Sequence, residues 1–129
     1  MSTTPVTVKL FGIPNCDTVK KARTWLSDHA VEVVFHDFKK MGSPTDEELH
    51  NWFAAHNWDT IINRKGTTWR KLDAHVQDST TDAASAKVLA QANLSVIKRP
   101  VVAWPNGRIT VGFAPPDWEA LLNTLPGRS

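Results

Sequence analysis

Val6-Thr7-Val8-Lys9-Leu10-Phe11 alternates apolar and polar side chains, the two-residue period of a strand with one face on a core. Gly12-Ile13-Pro14-Asn15 breaks this pattern, and from Cys16 the period lengthens. Val19, Ala22, Leu26 and Ala30 fall on one helical stripe with Trp25 beside them, while Lys20, Lys21 and Arg23 mostly occupy other faces. Val31-Glu32-Val33-Val34-Phe35 is rich in β-branched residues and predicts a second strand. Strand, helix and strand within about 30 residues make a βαβ unit, with parallel strands and a right-handed crossover.

After the connection Lys39-Lys40-Met41-Gly42-Ser43-Pro44, Thr45 and Glu48 have the spacing of a capping box, and Leu49, Trp52, Phe53 and His56 continue a helix from it. A short segment from Trp58 to Asn63 ends near Gly66. Asp82 through Asn93 is Ala-rich and predicts a further helix, with Ala84, Val88 and Leu89 available for burial. Val101-Val102-Ala103-Trp104 and Arg108-Ile109-Thr110-Val111 flank Pro105-Asn106-Gly107, a hairpin signal with a loop longer than the minimal one. A last helix follows Pro115-Pro116 and places Trp118, Leu121, Leu122 and Leu125 at helical spacing. The order predicts an α/β fold: a four-stranded mixed sheet with helices packed on it and a helical block in the middle of the chain.

A length of 129 residues suits one domain. The 15 Lys and Arg against 13 Asp and Glu leave a charge of +2, too small an excess to predict a nucleic-acid binder. A single cysteine excludes both an intramolecular disulfide and a four-cysteine zinc site. Met1-Ser2-Thr3-Thr4-Pro5 lacks the features of a secretory signal, and no stretch approaches the roughly 20 apolar residues that span a bilayer. The expected setting is a reducing cytoplasm, without membrane contact.

Chemistry enters at Cys16. It stands where a strand-following loop enters a helix, so the free N–H groups of Asp17, Thr18 and Val19 and the helix dipole favour thiolate over thiol. Lys20 adds positive charge, and Asp17 opposes it. The alternative is a buried structural cysteine. Val19 occupies the place where a Cys-x-x-Cys pair has its second sulfur, so redox turnover at Cys16 requires an external thiol such as glutathione. Arg64-Lys65-Gly66 and Ile97-Lys98-Arg99-Pro100-Val101 are candidate partners. A cis bond before Pro100 would turn Arg99 sharply, and a guanidinium fork suits a carboxylate or oxyanion. The alternative for Arg64 and Arg99 is a solvated surface charge. The five histidines have no metal spacing, His36-Asp37 is at most an orienting pair, and the six tryptophans read as packing residues. No metal or nucleotide is expected.

Three separated motifs then carry a resemblance. Phe11-Gly12-Ile13-Pro14-Asn15-Cys16-Asp17-Thr18-Val19-Lys20-Lys21-Ala22, Arg64-Lys65-Gly66-Thr67-Thr68-Trp69-Arg70-Lys71-Leu72, and Ile97-Lys98-Arg99-Pro100-Val101-Val102 with Val111-Gly112-Phe113 resemble the ArsC/Spx family, and most closely its YffB subgroup. The resemblance runs from about Val6 to Leu122. It implies a thioredoxin-like part over about 5–40 and 95–126 and a helical insertion over about 44–94. It also implies that Cys16 is a nucleophile served by Arg64 and Arg99, which hold an oxyanion and favour the thiolate.

Glutathione is the implied co-substrate, with Asn15, Lys20, Lys98 and Pro100 as its expected contacts. A small-molecule or protein disulfide is the expected substrate, and glutaredoxin a possible partner. The family's glutaredoxin-linked arsenate reductases have a histidine where this chain has Gly12 and a third arginine where it has Gly112. These departures weigh against arsenate as substrate. The Spx branch implies a second reading, a regulator that binds RNA polymerase, although Val19 removes that branch's Cys-x-x-Cys switch.

Overall fold

A computed structural model of the chain describes residues 6–125. In chain order the elements are β1 (Val6–Gly12), α1 (Asp17–Asp28), β2 (Val31–Asp37), α2 (Phe38–Met41), α3 (Asp46–Ala55), α4 (Trp58–Ile61), α5 (Thr67–Arg70), α6 (Ala74–Ser79), α7 (Ala83–Ala92), a 3₁₀ turn (Leu94–Val96), β3 (Val101–Ala103), β4 (Ile109–Val111) and α8 (Pro115–Asn123). The chain divides after Asp37 and before Arg99 into two compact units: the segments outside those limits form one, and Phe38–Lys98 the other.

The first unit holds the sheet, in the order β2-β1-β3-β4. β1 and β2 run parallel with Val6 opposite Val31 and Gly12 opposite Asp37, while β3 is antiparallel to both β1 and β4. This mixed sheet with helices is thioredoxin-like. Val6, Val8 and Leu10, the alternating apolar positions of β1, pack with Val19, Ala22 and Leu26 of α1 and with Trp118, Leu121 and Leu122 of α8. Burying such side chains is worth about 1.5–3 kcal/mol each, and this sets the register of β1: a one-residue slip would turn its apolar set outward. Trp118 anchors the cluster, meeting Trp25, Trp104 and Phe113 edge-on with ring centroids 5.6, 5.4 and 5.1 Å away.

Local chemistry fixes the turns. Ala30, expected on the α1 stripe, lies beyond the helix end at φ 58°, one residue before β2 begins. The Asn-Gly hairpin forms as expected: Gly107 takes φ 86°, its N–H donates to the Trp104 carbonyl, and the Asn106 side chain accepts from the Arg108 N–H at 3.0 Å. Pro115 and Pro116 open α8 rather than precede it, as suits residues lacking an N–H, and Leu125 is buried just past the helix end.

The helical unit has its own buried set, including Leu49, Trp52, Ile61, Ile62, Leu89 and Ile97. The Thr45–Glu48 capping box is closed in both directions, at 3.0 and 2.9 Å. A second box, Asp82 with Ser85, starts α7. The buried stripe of α7 is Ala86, Leu89 and Ala90; Ala84 and Val88 are exposed, contrary to expectation, and Val88 is 66% accessible. In an Ala-rich helix several faces are almost equally apolar, so its neighbours choose the buried one. Gln91 and Lys87 of α7 reach Asp46 of α3, at 2.7 and 3.6 Å. No helix among the described residues is long and apolar enough to cross a membrane.

Candidate active site

Cys16 is the N-cap residue of α1, in extended conformation at φ −96° and ψ 124°, and half-buried. Its carbonyl accepts the first helical bond, from the Lys20 N–H at 2.9 Å, and its own N–H reaches the Ile13 carbonyl at 3.4 Å. Sulfur is a large, weak acceptor, and no short side-chain cap closes here. The Val19 and Thr18 amides nonetheless face the sulfur closely enough to favour its anion.

Burial pushes the Cys16 thiol up. Hydrogen bonding from the Val19 amide, the Arg99 side chain and the Thr18 amide, together with the Arg99 charge, outweighs it, so the thiol sits below its ordinary value. The bond from Arg99 to Pro100 is cis, and the Pro100 carbonyl accepts from the Gly112 N–H at 2.8 Å. The structure thus brings Cys16, Arg99 and Pro100 together at one end of the sheet. Asn15 and Lys20 flank the cysteine in the chain, and both are exposed.

Two glycines bound this site. A Cβ on Gly12 would stand 2.8 Å from Cγ2 of Val19, a side chain with no exposure. Val19 therefore fills the space beside Gly12, and the close approach of α1 to β1 needs a residue without a side chain at position 12. Gly112 has φ 85°, the left-handed region that disfavours every other residue type. Backbone geometry at Gly112 and packing at Gly12 thus oppose the histidine and third arginine absent from the sequence.

Arg64 and Lys98 belong to the helical unit. The chain there is pinned by an Ile62–Ile97 bridge, by the Asn63 N–H on the Val96 carbonyl at 2.7 Å, and by the Lys98 N–H on the Ile61 carbonyl at 2.8 Å. The result is a cleft of about 580 Å³ lined by Asp59, Asn63, Arg64, Lys65, Trp69 and Lys98. A Cβ at Gly66 would stand 2.8 Å from the Asn63 side-chain nitrogen, so a larger residue there would have to displace that amide. The Arg64 guanidinium lies over Trp58 and Trp69, 5.5 and 5.8 Å from their ring centres. From the sequence these tryptophans read as packing residues, and their nearness to Arg64 in the chain is the signal of this second role.

His36 and Asp37 are both buried, and the His36 ring lies 5.0 Å from that of Phe11, so this pair sits in the sheet rather than in a solvent-facing role. Among the described residues no group of three or more His, Cys, Asp or Glu side chains is placed to hold a metal.

The model of the ArsC family matches residues 11–121. The solved structure of a protein called YffB is 48% identical, with a TM-score of 0.81 over 88% of this chain and 96% of that one. The solution structure of an arsenate reductase (ArsC) related protein from Brucella melitensis is 46% identical, with a TM-score of 0.67 over 88% and 92% of the two chains. The global transcriptional regulator Spx of Streptococcus agalactiae is 31% identical over 118 residues, 89% of this chain and 82% of that protein.

Proposed function

Because the chain belongs to the ArsC family, we propose that it is a thiol oxidoreductase in which Cys16 is the nucleophile and glutathione the external reductant. The observation that carries this reading is the convergence of Arg99 and the α1 amides on one half-buried sulfur, holding its pKa low. A thiolate, not a thiol, attacks a disulfide. In the first step the Cys16 thiolate attacks one sulfur of a disulfide; a new bond joins Cys16 to that sulfur, and the second sulfur leaves with the electron pair as a thiolate. In the second step a glutathione thiolate attacks the Cys16 sulfur of the mixed disulfide; the remaining substrate sulfur leaves as a thiolate, and Cys16 is left joined to glutathione. A second glutathione thiolate then attacks the glutathione sulfur of that adduct, oxidised glutathione forms, the Cys16 thiolate departs, and the two electrons that reduced the substrate have come from two glutathione thiols. Arg99 stabilises the departing Cys16 thiolate as it does the attacking one.

Glutathione carries two carboxylates, and the guanidinium of Arg99 beside the thiol is suited to one of them. Asn15, Lys20 and Pro100 are proposed contacts around the thiol. Arsenate fits this site less well: the side chains of the family's reductases at positions 12 and 112 meet a steric block at one and an unfavourable backbone at the other.

Mass spectrometry after exposure to oxidised glutathione tests the reading. The expected product is a single glutathionyl adduct on Cys16, cleared by reduced glutathione with multiple turnovers of a disulfide acceptor. An iodoacetamide rate-against-pH profile equal to that of a free peptide thiol would refute it. The 31% identity to Spx supports a second reading, a regulator that binds RNA polymerase. That reading predicts polymerase capture undiminished in Cys16→Ser, and failure to co-purify at low salt would dispose of it.

A further inference from the structure

β2 is an edge strand: it pairs with β1 on one side, and no strand among the described residues pairs with its other side. It is also one of the two longest strands, seven residues with β-branched side chains at three of them, and Val34 is 54% exposed. Such an edge is a template for another strand, and Val31–Asp37 holds no proline and no lysine, Glu32 being the one exposed charge within it. Beside this edge runs a groove of about 540 Å³. Lys20, Arg23, Thr24 and Asp28 of α1 form one wall, and Val31 and Val33 of β2 form the other.

Charge is ordered along this groove. α1 runs back along the sheet, so Lys20 stands at the end where β2 finishes and Asp28 at the end where β2 begins. Arg23 belongs with the first group, its guanidinium lying 4.3 Å over the Phe35 ring. A surface that is positive at one end and negative at the other is complementary to its own copy turned by a half-rotation, the defining property of an isologous interface.

The lengths agree as well. Lys20 to Asp28 spans eight helical residues, roughly 12 Å at 1.5 Å per residue. Val31 to Phe35 spans four strand residues, roughly 13 Å at about 3.3 Å each. A two-fold axis passing near Thr24 and Val33 therefore sets Val31 against Phe35 of the second copy and Lys20 against its Asp28, both at once.

We propose that the outer edge of β2 is a homodimer interface, joining two four-stranded sheets through antiparallel β2 pairing, with Lys20–Asp28 ion pairs on either side of the axis. The partner is a second copy of this chain.

Sedimentation velocity of the full chain at low salt, over a wide concentration range, measures the association. Lys20→Glu and Asp28→Lys each place like charges together twice in the symmetric dimer, so each should weaken association by about tenfold or more. An equimolar mixture of the two variants restores an unlike pair at both positions, and its association should return to within about threefold of the unaltered chain. Far-UV circular dichroism of each variant shows that the change is not unfolding, and the mixture would not rescue an unfolded chain. Added salt should weaken the dimer of the unaltered chain. A monomer throughout the concentration range overturns the proposal. So does a dimer indifferent to both reversals, or one that mixing fails to restore.

Discussion

Replacing Gly12 by alanine adds one methyl group to the end of β1, and the structure puts that carbon 2.8 Å from Cγ2 of Val19. Carbon atoms in contact prefer about 3.5–4.0 Å, so β1 and α1 must part by several tenths of an ångström or Val19 must turn. Val19 cannot turn cheaply, being β-branched, helical and without exposure. Overpacking of this kind costs about 1–3 kcal/mol. Val19→Ala costs about 2–3 kcal/mol for a different reason, the loss of two buried methyl groups at roughly 0.8 kcal/mol each plus the cavity left behind.

In the double variant the methyl added at position 12 enters the space that Val19 has vacated, so the combined cost should fall short of the sum by about 1–2 kcal/mol. Urea denaturation of the four proteins measures this coupling, provided the slopes agree. Additivity within about 0.5 kcal/mol would show that the two residues do not compete for one volume. The account of why this chain carries no histidine at position 12 would then be wrong. The consequence reaches the thiol, because the same Val19 supplies an amide that favours its anion.

Arg99→Ala removes a hydrogen bond and a charge that both lower the Cys16 pKa, so the alkylation profile should move to higher pH and the rate at neutral pH should fall; an unchanged profile would remove Arg99 from the site. A depressed thiol pKa also makes stability depend on pH. The unfolded chain binds the proton more tightly, so the stability of the native chain relative to Cys16→Ser should rise as pH rises from the lowered value towards the ordinary thiol value of 9.0, and be lost as pH falls through the lowered one; equal curves in thermal melts across that window would contradict the shift. Trp69→Ala leaves Arg64 with one aromatic neighbour, so urea denaturation should show a loss of at least about 0.5–1 kcal/mol, and an unchanged midpoint would show that the ring does not hold Arg64. Gly112→Arg forces a side chain into the left-handed region at about 1–2 kcal/mol, so the chain should melt several degrees lower without gaining arsenate reduction, and a gain of that activity would count against the glycine argument.

Periodicity made the sheet unit legible. The β1 alternation and the Val19, Ala22, Leu26 stripe are long enough for one face to dominate, and both are buried where expected. Caps and turns with a specific chemistry were equally readable: Thr45 with Glu48, Asn106-Gly107, and the proline after Arg99. The helical unit was less legible for a physical reason. α5 and α6 have four and six residues, too few to display a period, and the Ala-rich α7 has no single apolar face for the sequence to declare. At the candidate site, Cys16 stood out because a helix N-terminus can be read locally. The aromatic walls around Arg64 could not be, because Trp58 and Trp69 approach it only through the path of the loop between α4 and α5.

The methyl groups of Val19 have one more implication. A neighbouring thiol within the same molecule would present itself at a fixed, very high effective concentration, so recycling would proceed at a constant pace whatever the surroundings held. In the reaction proposed for Cys16, with hydrocarbon in that place, regeneration would be a bimolecular encounter whose velocity follows the supply of reductant. Scarcity would then strand the molecule in its mixed-disulfide form, and the proportion so stranded would become a running measure of the reducing power around it.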